Sequence, residues 1–483
     1  MYSFKRNTLW RMAVSCVVAL LSFMPLSLRA QMDSILFYND YAIDSTTVKE
    51  LHLHVDNLTF LKDNEWDGDV VKGYTLPGLW LQPKVSYSPL PEIQLEAGLH
   101  ALIYAGTIKY PSLMYQDLPK WKGDQYQKGT HLLPFFRANM KLGPAHVVLG
   151  NIYGGATHML PDPLYAQELN LTADPEMGGQ LLIDLPRWHF DVWINWQSFT
   201  FKGDYHAEAF CAGFTSRYSL VGKTSSMADK GYELTLPISA LAQHVGGEID
   251  TVGGISTHFN ASVGIELKRH RPATWLRYWS AEAHLLGYSQ NKGETWPINN
   301  GWGAYIAGHM QFNNGLGLKL GYMHNHDFQP LLGYNYYGTI AKGQADATPL
   351  TIPTTVPATT STPAPTPTPS SAPAATVPAT APPTSAPIPT TTPAAIPTTT
   401  PAAIPTTTPA ATVPAASAAA LITAYRHPNL VTLQADWTKA FARSYAFGIR
   451  VEAFAYMASK SSFNTSFGLF FRATPSFRLL KKH

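Results

Sequence analysis

The feature that most limits what this chain can fold into is an alternation of side chains, repeated along most of its length. The alternating runs are joined by connections that go short, long, short, long. From Trp188 to Gln197 every second residue (Trp188, Phe190, Val192, Ile194, Trp196) is apolar, and most of the others are polar. The same pattern recurs at Ile93, Leu95, Ala97 and Leu99, at Phe259, Ala261, Val263, Ile265 and Leu267, and at Val431, Leu433, Ala435 and Trp437. Successive side chains on a strand point to opposite faces, so each run has one apolar and one polar face. The runs span about 10–12 residues, the length of a tilted membrane strand, whereas soluble strands average about 5–6. A soluble sandwich rarely keeps the short–long rhythm. A closed up-and-down barrel in a bilayer does, because one rim carries tight turns and the other carries long loops.

Sixteen strands are expected, near 51–60, 76–88, 92–106, 131–142, 145–155, 178–184, 187–198, 208–220, 231–242, 259–269, 275–288, 302–313, 315–324, 430–439, 443–457 and 466–477. Tight connections fall at Gly143-Pro144, Leu185-Pro186, Arg271-Pro272-Ala273-Thr274 and Asn314, where Gly, Pro and Asn supply turn geometry. Even parity puts both termini on the tight-turn rim, which is periplasmic in such barrels. The fold class is therefore all-β: a transmembrane antiparallel up-and-down β-barrel of about sixteen strands. Trp188 and Trp196 share a face eight residues apart, roughly 26 Å at ~3.3 Å per residue, which suits two aromatic girdles.

The N-terminus reads as a signal peptide over 1–30. Lys5, Arg6 and Arg11 precede an apolar run from Met12 to Leu28, with cleavage near Ala30-Gln31. That implies the outer membrane of a Gram-negative cell, with 31–50 as a periplasmic segment. Removing 1–30 leaves 31 Lys and Arg against 32 Asp and Glu. This near-neutral balance gives no support to nucleic-acid binding. Only Cys211 remains of two cysteines, so no intrachain disulfide and no thiol metal motif is available. The barrel occupies 51–346 and 421–483. Between these parts, residues 347–420 are almost entirely Thr, Pro, Ala and Ser and contain the repeat Pro389–Ile396, again at 397–404 and in changed form at 405–412. Such a tract cannot bury a core and is expected to be a disordered extracellular insertion.

The polar phase of the strands carries Glu96, His100, Arg137, Lys141, Asp191, Glu233, Glu266, Glu282, His284, His309, Lys319, Asp436, Arg450, Glu452 and Arg472. These are the candidate pore-lining residues, and their mixed sign points to a polar solute rather than to strong ion selectivity. In the 156–177 loop, Asp162, Glu168, Asp174 and Glu176 join His158 within nineteen residues. Oxygen-rich clusters of this kind suit calcium, and a loop folded inward would narrow a pore. No Ser-His-carboxylate set has supporting spacing, and no cofactor motif appears. A hydrolase with its groups on separate strands would leave no local trace.

Asn64-Glu65-Trp66 leading into Gly73-Tyr74-Thr75-Leu76-Pro77-Gly78, together with Gly150-Asn151-Ile152-Tyr153-Gly154, His158 and Pro161-Asp162-Pro163-Leu164-Tyr165, resembles porin-like outer-membrane barrels of the Bacteroidota type. The resemblance implies the fold and the compartment, and carries over no catalytic residue. The expected role is a passive channel for small polar solutes, held in outer-membrane lipid. The alternative is a non-conducting anchor, adhesin or part of a surface complex, with homo-oligomers or surface partners open. The chain end, Arg478-Leu479-Leu480-Lys481-Lys482-His483, departs from barrels that finish on an aromatic residue.

Overall fold

The computed structural model describes residues 32–67, 72–105, 130–199, 207–221, 227, 230–247, 255–271, 274–292, 298–338, 429–441, 444–457 and 463–480. The expected signal peptide over 1–30 and the 347–420 tract lie outside these residues.

Among the described residues, seventeen strands form one antiparallel sheet that closes on itself. They are β1 (Leu51–Asp67), β2 (Lys72–Leu90), β3 (Ile93–Tyr104), β4 (Thr130–Leu142), β5 (Ala145–Asn151), β6 (Met177–Leu185), β7 (Trp188–Ser198), β8 (Ala209–Ser219) and β9 (Tyr232–Val245). Then follow β10 (Ser256–His270), β11 (Leu276–Lys292), β12 (Asn300–Phe312), β13 (Leu316–His326), β14 (Asn429–Phe441), β15 (Tyr445–Tyr456), β16 (Asn464–Ala473) and β17 (Ser476–Leu480). From β1 to β16 each strand pairs with its sequence neighbour, and β1 closes the ring against β16 and β17 as well as β2. The barrel has sixteen staves, because β17 continues the stave of β16. β16 opposes Asn57–Glu65, β17 opposes Leu51–His54, and between them Val55 donates its N–H to the Pro475 carbonyl at 3.0 Å. Pro475 has no N–H to give the ladder, which breaks the stave there.

The wall obeys the period-2 rule. Leu132, Leu285, Ile306 and Leu320 are 68, 63, 56 and 58% exposed. They belong to an apolar band on the outer surface, the face a barrel turns toward hydrocarbon. The inward phase is polar and largely buried. β1 runs on to Asp67, past the expected end at 60, and its outer face becomes polar at Thr59, Asp63 and Glu65. A stave that rises out of lipid no longer needs an apolar outer face, so alternation alone ends the strand too early. At two tight turns Gly143 (φ 63°) and Gly315 (φ 92°) take the left-handed backbone that side-chain-bearing residues avoid.

The core sits inside the ring. Three segments enter the lumen. Residues 32–41, expected to be periplasmic, begin with helix α1 (Met32–Leu36) and pack among inward side chains from the tight-turn end. Residues 152–176 fold in from the opposite rim through two 3-10 turns, Gly155–His158 and Asp162–Leu164, and helix α2 (Leu169–Thr172). Residues 327–338 follow from the same rim and end in a 3-10 turn, Asn335–Tyr337. The two loops pair at Tyr165 and Leu332, where Ala166 N donates to the Leu332 carbonyl at 2.8 Å. Filling the lumen changes what an inward position tolerates. Asn195, which alternation alone would leave free to become arginine, is 6% exposed and its Oδ1 accepts the Met177 N–H at 3.1 Å.

Candidate functional site

Inward charges hold the inserted segments. Lys62 on β1 lies 3.0 Å from Glu168 of α2's N-terminal flank, 3.3 Å from Glu452 on β15, and donates to the Tyr334 hydroxyl at 2.9 Å. Lys319 on β13 is shared by Asp162 (2.8 Å) and Glu282 (3.1 Å). Arg450 on β15 reaches Asp33 of α1 at 2.6 Å and Asp436 on β14 at 3.6 Å. Each cation thus sits between two carboxylates, at least one of them on the wall. Buried charges are retained only when paired and hydrogen-bonded, and the pairing here fastens plug to barrel.

The other sequence candidates are placed as follows. Glu96 bridges Lys84 (3.1 Å) and Arg137 (3.0 Å). Arg137 also donates to the carbonyls of Asn151 and Ile152, with its guanidinium 3.8 Å from the Tyr153 ring centroid. His100 lies against Trp80, and His309 against Tyr278. Arg472 grips Asn39 (2.9 Å) and the Leu36 carbonyl. Glu266 pairs with Arg217 on β8. Lys141 is exposed near the tight-turn rim, as is Glu233, which faces His270 at 3.3 Å. Lys62, Lys84 and Asp33 were not legible as site residues: Lys62 falls beyond the expected end of its strand, and Asp33 lies in a segment with no strand pattern.

The four loop carboxylates do not converge. Asp162 binds Lys319, Glu168 binds Lys62, Asp174 meets His131, and Glu176 meets His158. Among the described residues no group of three or more His, Cys, Asp or Glu could hold a metal ion.

Two histidines differ in chemistry. His158 is buried, with Nδ1 2.6 Å from Asp191, Nε2 3.0 Å from Glu176, and its ring stacked on Trp193 at 3.6 Å. Burial alone would push its pKa down, but the Glu176 and Asp191 carboxylates hold it up at about 10. Both nitrogens are engaged as donors, so this imidazolium is a bolt and not a base. His131, at the start of β4, presents Nδ1 to Asp174 at 2.5 Å. This is the carboxylate–imidazole arrangement that orients a general base. It lies on the rim opposite the termini, paired with Leu102, and its chain neighbour Leu132 faces outward. No local spacing marks the pair, since its members are 43 residues apart.

A cavity of about 420 Å³ remains between plug and wall, bordered by Trp66, Asp162, Glu282, Lys319, Tyr334 and Glu452 among others.

The fold and site thus define a membrane-type β-barrel whose lumen holds segments of its own chain, fastened to the wall by buried ion pairs. A profile of the Lipid A 3'-O-deacylase-type family matches residues 43–353, and the chain belongs to that family. No curated protein matches the sequence. Solved structures that resemble it include OprB of Pseudomonas putida, with 8% identity over 89% of this chain and 94% of that one, at a TM-score of 0.44. OccAB1 of Acinetobacter baumannii has 8% identity over 90% and 98%, at 0.41. OccK2 (OpdF) of Pseudomonas aeruginosa has 6% identity over 90% and 100%, at 0.39.

Proposed function

We propose that the protein is an outer-membrane esterase that releases an ester-linked acyl chain from lipid A, with His131 as general base and Asp174 orienting it. The observation that carries this reading is the height and setting of the pair. It sits at the long-loop rim, with His131 8% exposed on the inner face and its wall neighbours Ile103 and Leu132 on the outer face, 52 and 68% exposed, so that an acyl chain of the outer leaflet reaches it over the rim. Family membership supports the substrate class. In the proposed step His131 takes a proton from water as the oxygen attacks the acyl carbonyl. The ester C–O bond then breaks, and the proton passes to the departing sugar oxygen, leaving a fatty acid and a free hydroxyl. General-base assistance of this type is worth about 10²–10⁴ in rate.

The test is mass spectrometry of lipid A incubated with the detergent-solubilised full chain. The expected result is loss of one acyl chain, abolished in His131→Asn, with heat-modifiable gel migration reporting that the variant is folded. Unchanged lipid A with the parent protein refutes the reading. Passive diffusion of small polar solutes, to which the alternation alone points, meets a lumen crossed by buried ion pairs. Planar-bilayer recording decides between them, and a steady ohmic current from the parent restores the channel.

A further inference from the structure

The lumenal cavity is separate from the His131–Asp174 pair and has a chemistry of its own. Five carboxylates border it (Asp33, Asp162, Glu266, Glu282 and Glu452) against three cations (Arg217, Lys268 and Lys319). Adding the buried partners Lys62, Arg450, Glu168 and Asp436 leaves the excess of two negative charges unchanged. One wall is aromatic. The Tyr334 and Tyr336 rings stack at 4.9 Å with 12° between planes, and Trp66 meets both edge-on. His284, 5% exposed, borders the same space. Its Nδ1 lies 3.1 Å from Ser262 Oγ, whereas Nε2 has no hydrogen-bond partner. Glu282 stands 3.5 Å from that nitrogen but is not aligned for a bond. A buried imidazole nitrogen with an unmet bond beside a polar cavity calls for a hydroxyl or a similar group.

We infer that this cavity binds a small polyhydroxylated solute carrying a protonated amine, an amino sugar in chemical class. The excess carboxylate charge selects the ammonium group. The tyrosine and tryptophan faces suit both a cation and the apolar face of a sugar ring. Gln167, Gln434 and the His284 nitrogen meet the hydroxyls. The volume is in the range of small-ligand sites, about 300–1,000 Å³. Arg217 and Lys268 lie two residues from the tight-turn ends of β8 and β10, so the cavity reaches nearly to that rim. This site operates whether or not the protein cleaves esters.

The probe set is glucosamine, its uncharged relative N-acetylglucosamine, and glucuronate, titrated by calorimetry into the detergent-solubilised full chain. Glucosamine should bind at least tenfold more tightly than N-acetylglucosamine, and glucuronate should give no saturable heat. Glu452→Gln removes one carboxylate while Glu168 still accompanies Lys62. It should weaken glucosamine at least fivefold and leave N-acetylglucosamine unchanged. Equal affinity for charged and acetylated sugars in the parent overturns the inference, even if the variant does not fold. So does tighter glucuronate binding, or the absence of saturable heat at about 10 mM sugar, tenfold above a millimolar Kd.

Discussion

Replacing Lys62 by methionine tests whether ion pairs keep the lumen closed. In the parent, this ammonium is 4% exposed and is shared by Glu168, Glu452 and the Tyr334 hydroxyl. Methionine fills similar volume but leaves two carboxylates facing each other without a counter-ion. Glu168 has no solvent exposure and keeps only the Tyr74 hydroxyl at 2.5 Å and Asn64 Nδ2 at 3.2 Å as side-chain donors. Breaking a buried pair from one side costs about 3–5 kcal/mol. At about 1.4 kcal/mol per decade, that shifts the docked-to-undocked ratio of the 152–176 loop by roughly 10²–10⁴. In a planar bilayer the parent should be silent, and Lys62→Met should show bursts of current. The double variant Lys62→Met/Glu168→Gln should return toward silence, because the amide removes the unpaired buried charge while its single oxygen keeps the Tyr74 hydroxyl as a donor. The reasoning fails if the single variant is as silent and as heat-resistant as the parent, or if the double variant leaks more than the single one.

The His158 bolt gives a pH dependence. Its pKa is raised above the ordinary 6.5 to about 10, so its stabilisation is complete below about 6.5 and is lost as pH rises through about 10. Trp193 emission, quenched by the stacked imidazolium, should rise across that range, and a flat profile contradicts the assignment. A β-carbon added at Gly213 would stand 2.0 Å from the Trp193 ring. Gly213→Ala should therefore displace that ring at a cost of about 1–3 kcal/mol, seen as a lower melting temperature and an earlier fluorescence rise. On the outer wall, Val192→Arg should impair assembly by about 2–4 kcal/mol if it lies near the midplane; normal yield of folded barrel would argue against lipid contact there. Deleting 347–420 keeps the lumenal 327–338 segment and alters loop closure only logarithmically, by about 0.6 kcal/mol per halving. A protein so shortened that fails to fold would show the tract to be structural.

Much of the barrel was legible because the wall obeys one rule, with lipid on one side and polar groups on the other. That rule located sixteen staves and their alternating connections. It failed where the outside is no longer hydrocarbon, as in the upper part of β1, and where a proline interrupts a ladder, as at Pro475. The lumen was harder to read. The inward charges stood out, but their spacing along separate strands carries no record of which loop they meet. One clue was present. Trp193 is the large apolar residue in the polar phase of its run, and it is the residue on which His158 stacks. Likewise Asp162, Glu168, Asp174 and Glu176 look in sequence like one cluster, yet the fold sends each to a different cation or imidazole. Proximity along the chain says little when a segment traverses a ring some sixteen strands around.

The clasp between the two ends of the chain bears on biogenesis. Arg450 and Arg472, on the last two staves, hold Asp33, Leu36 and Asn39 of the first described segment. The N-terminal residues emerge earliest, and their partners are the final part to be made. The peptide enters from the tight-turn end of the ring, so it can dock along the barrel axis against staves that are already complete. Docking this peptide completes the pairing of both arginines, and a chain that has lost residues 32–41 would leave Arg472 without Asn39 and the Leu36 carbonyl, and Arg450 with Asp436 alone at 3.6 Å.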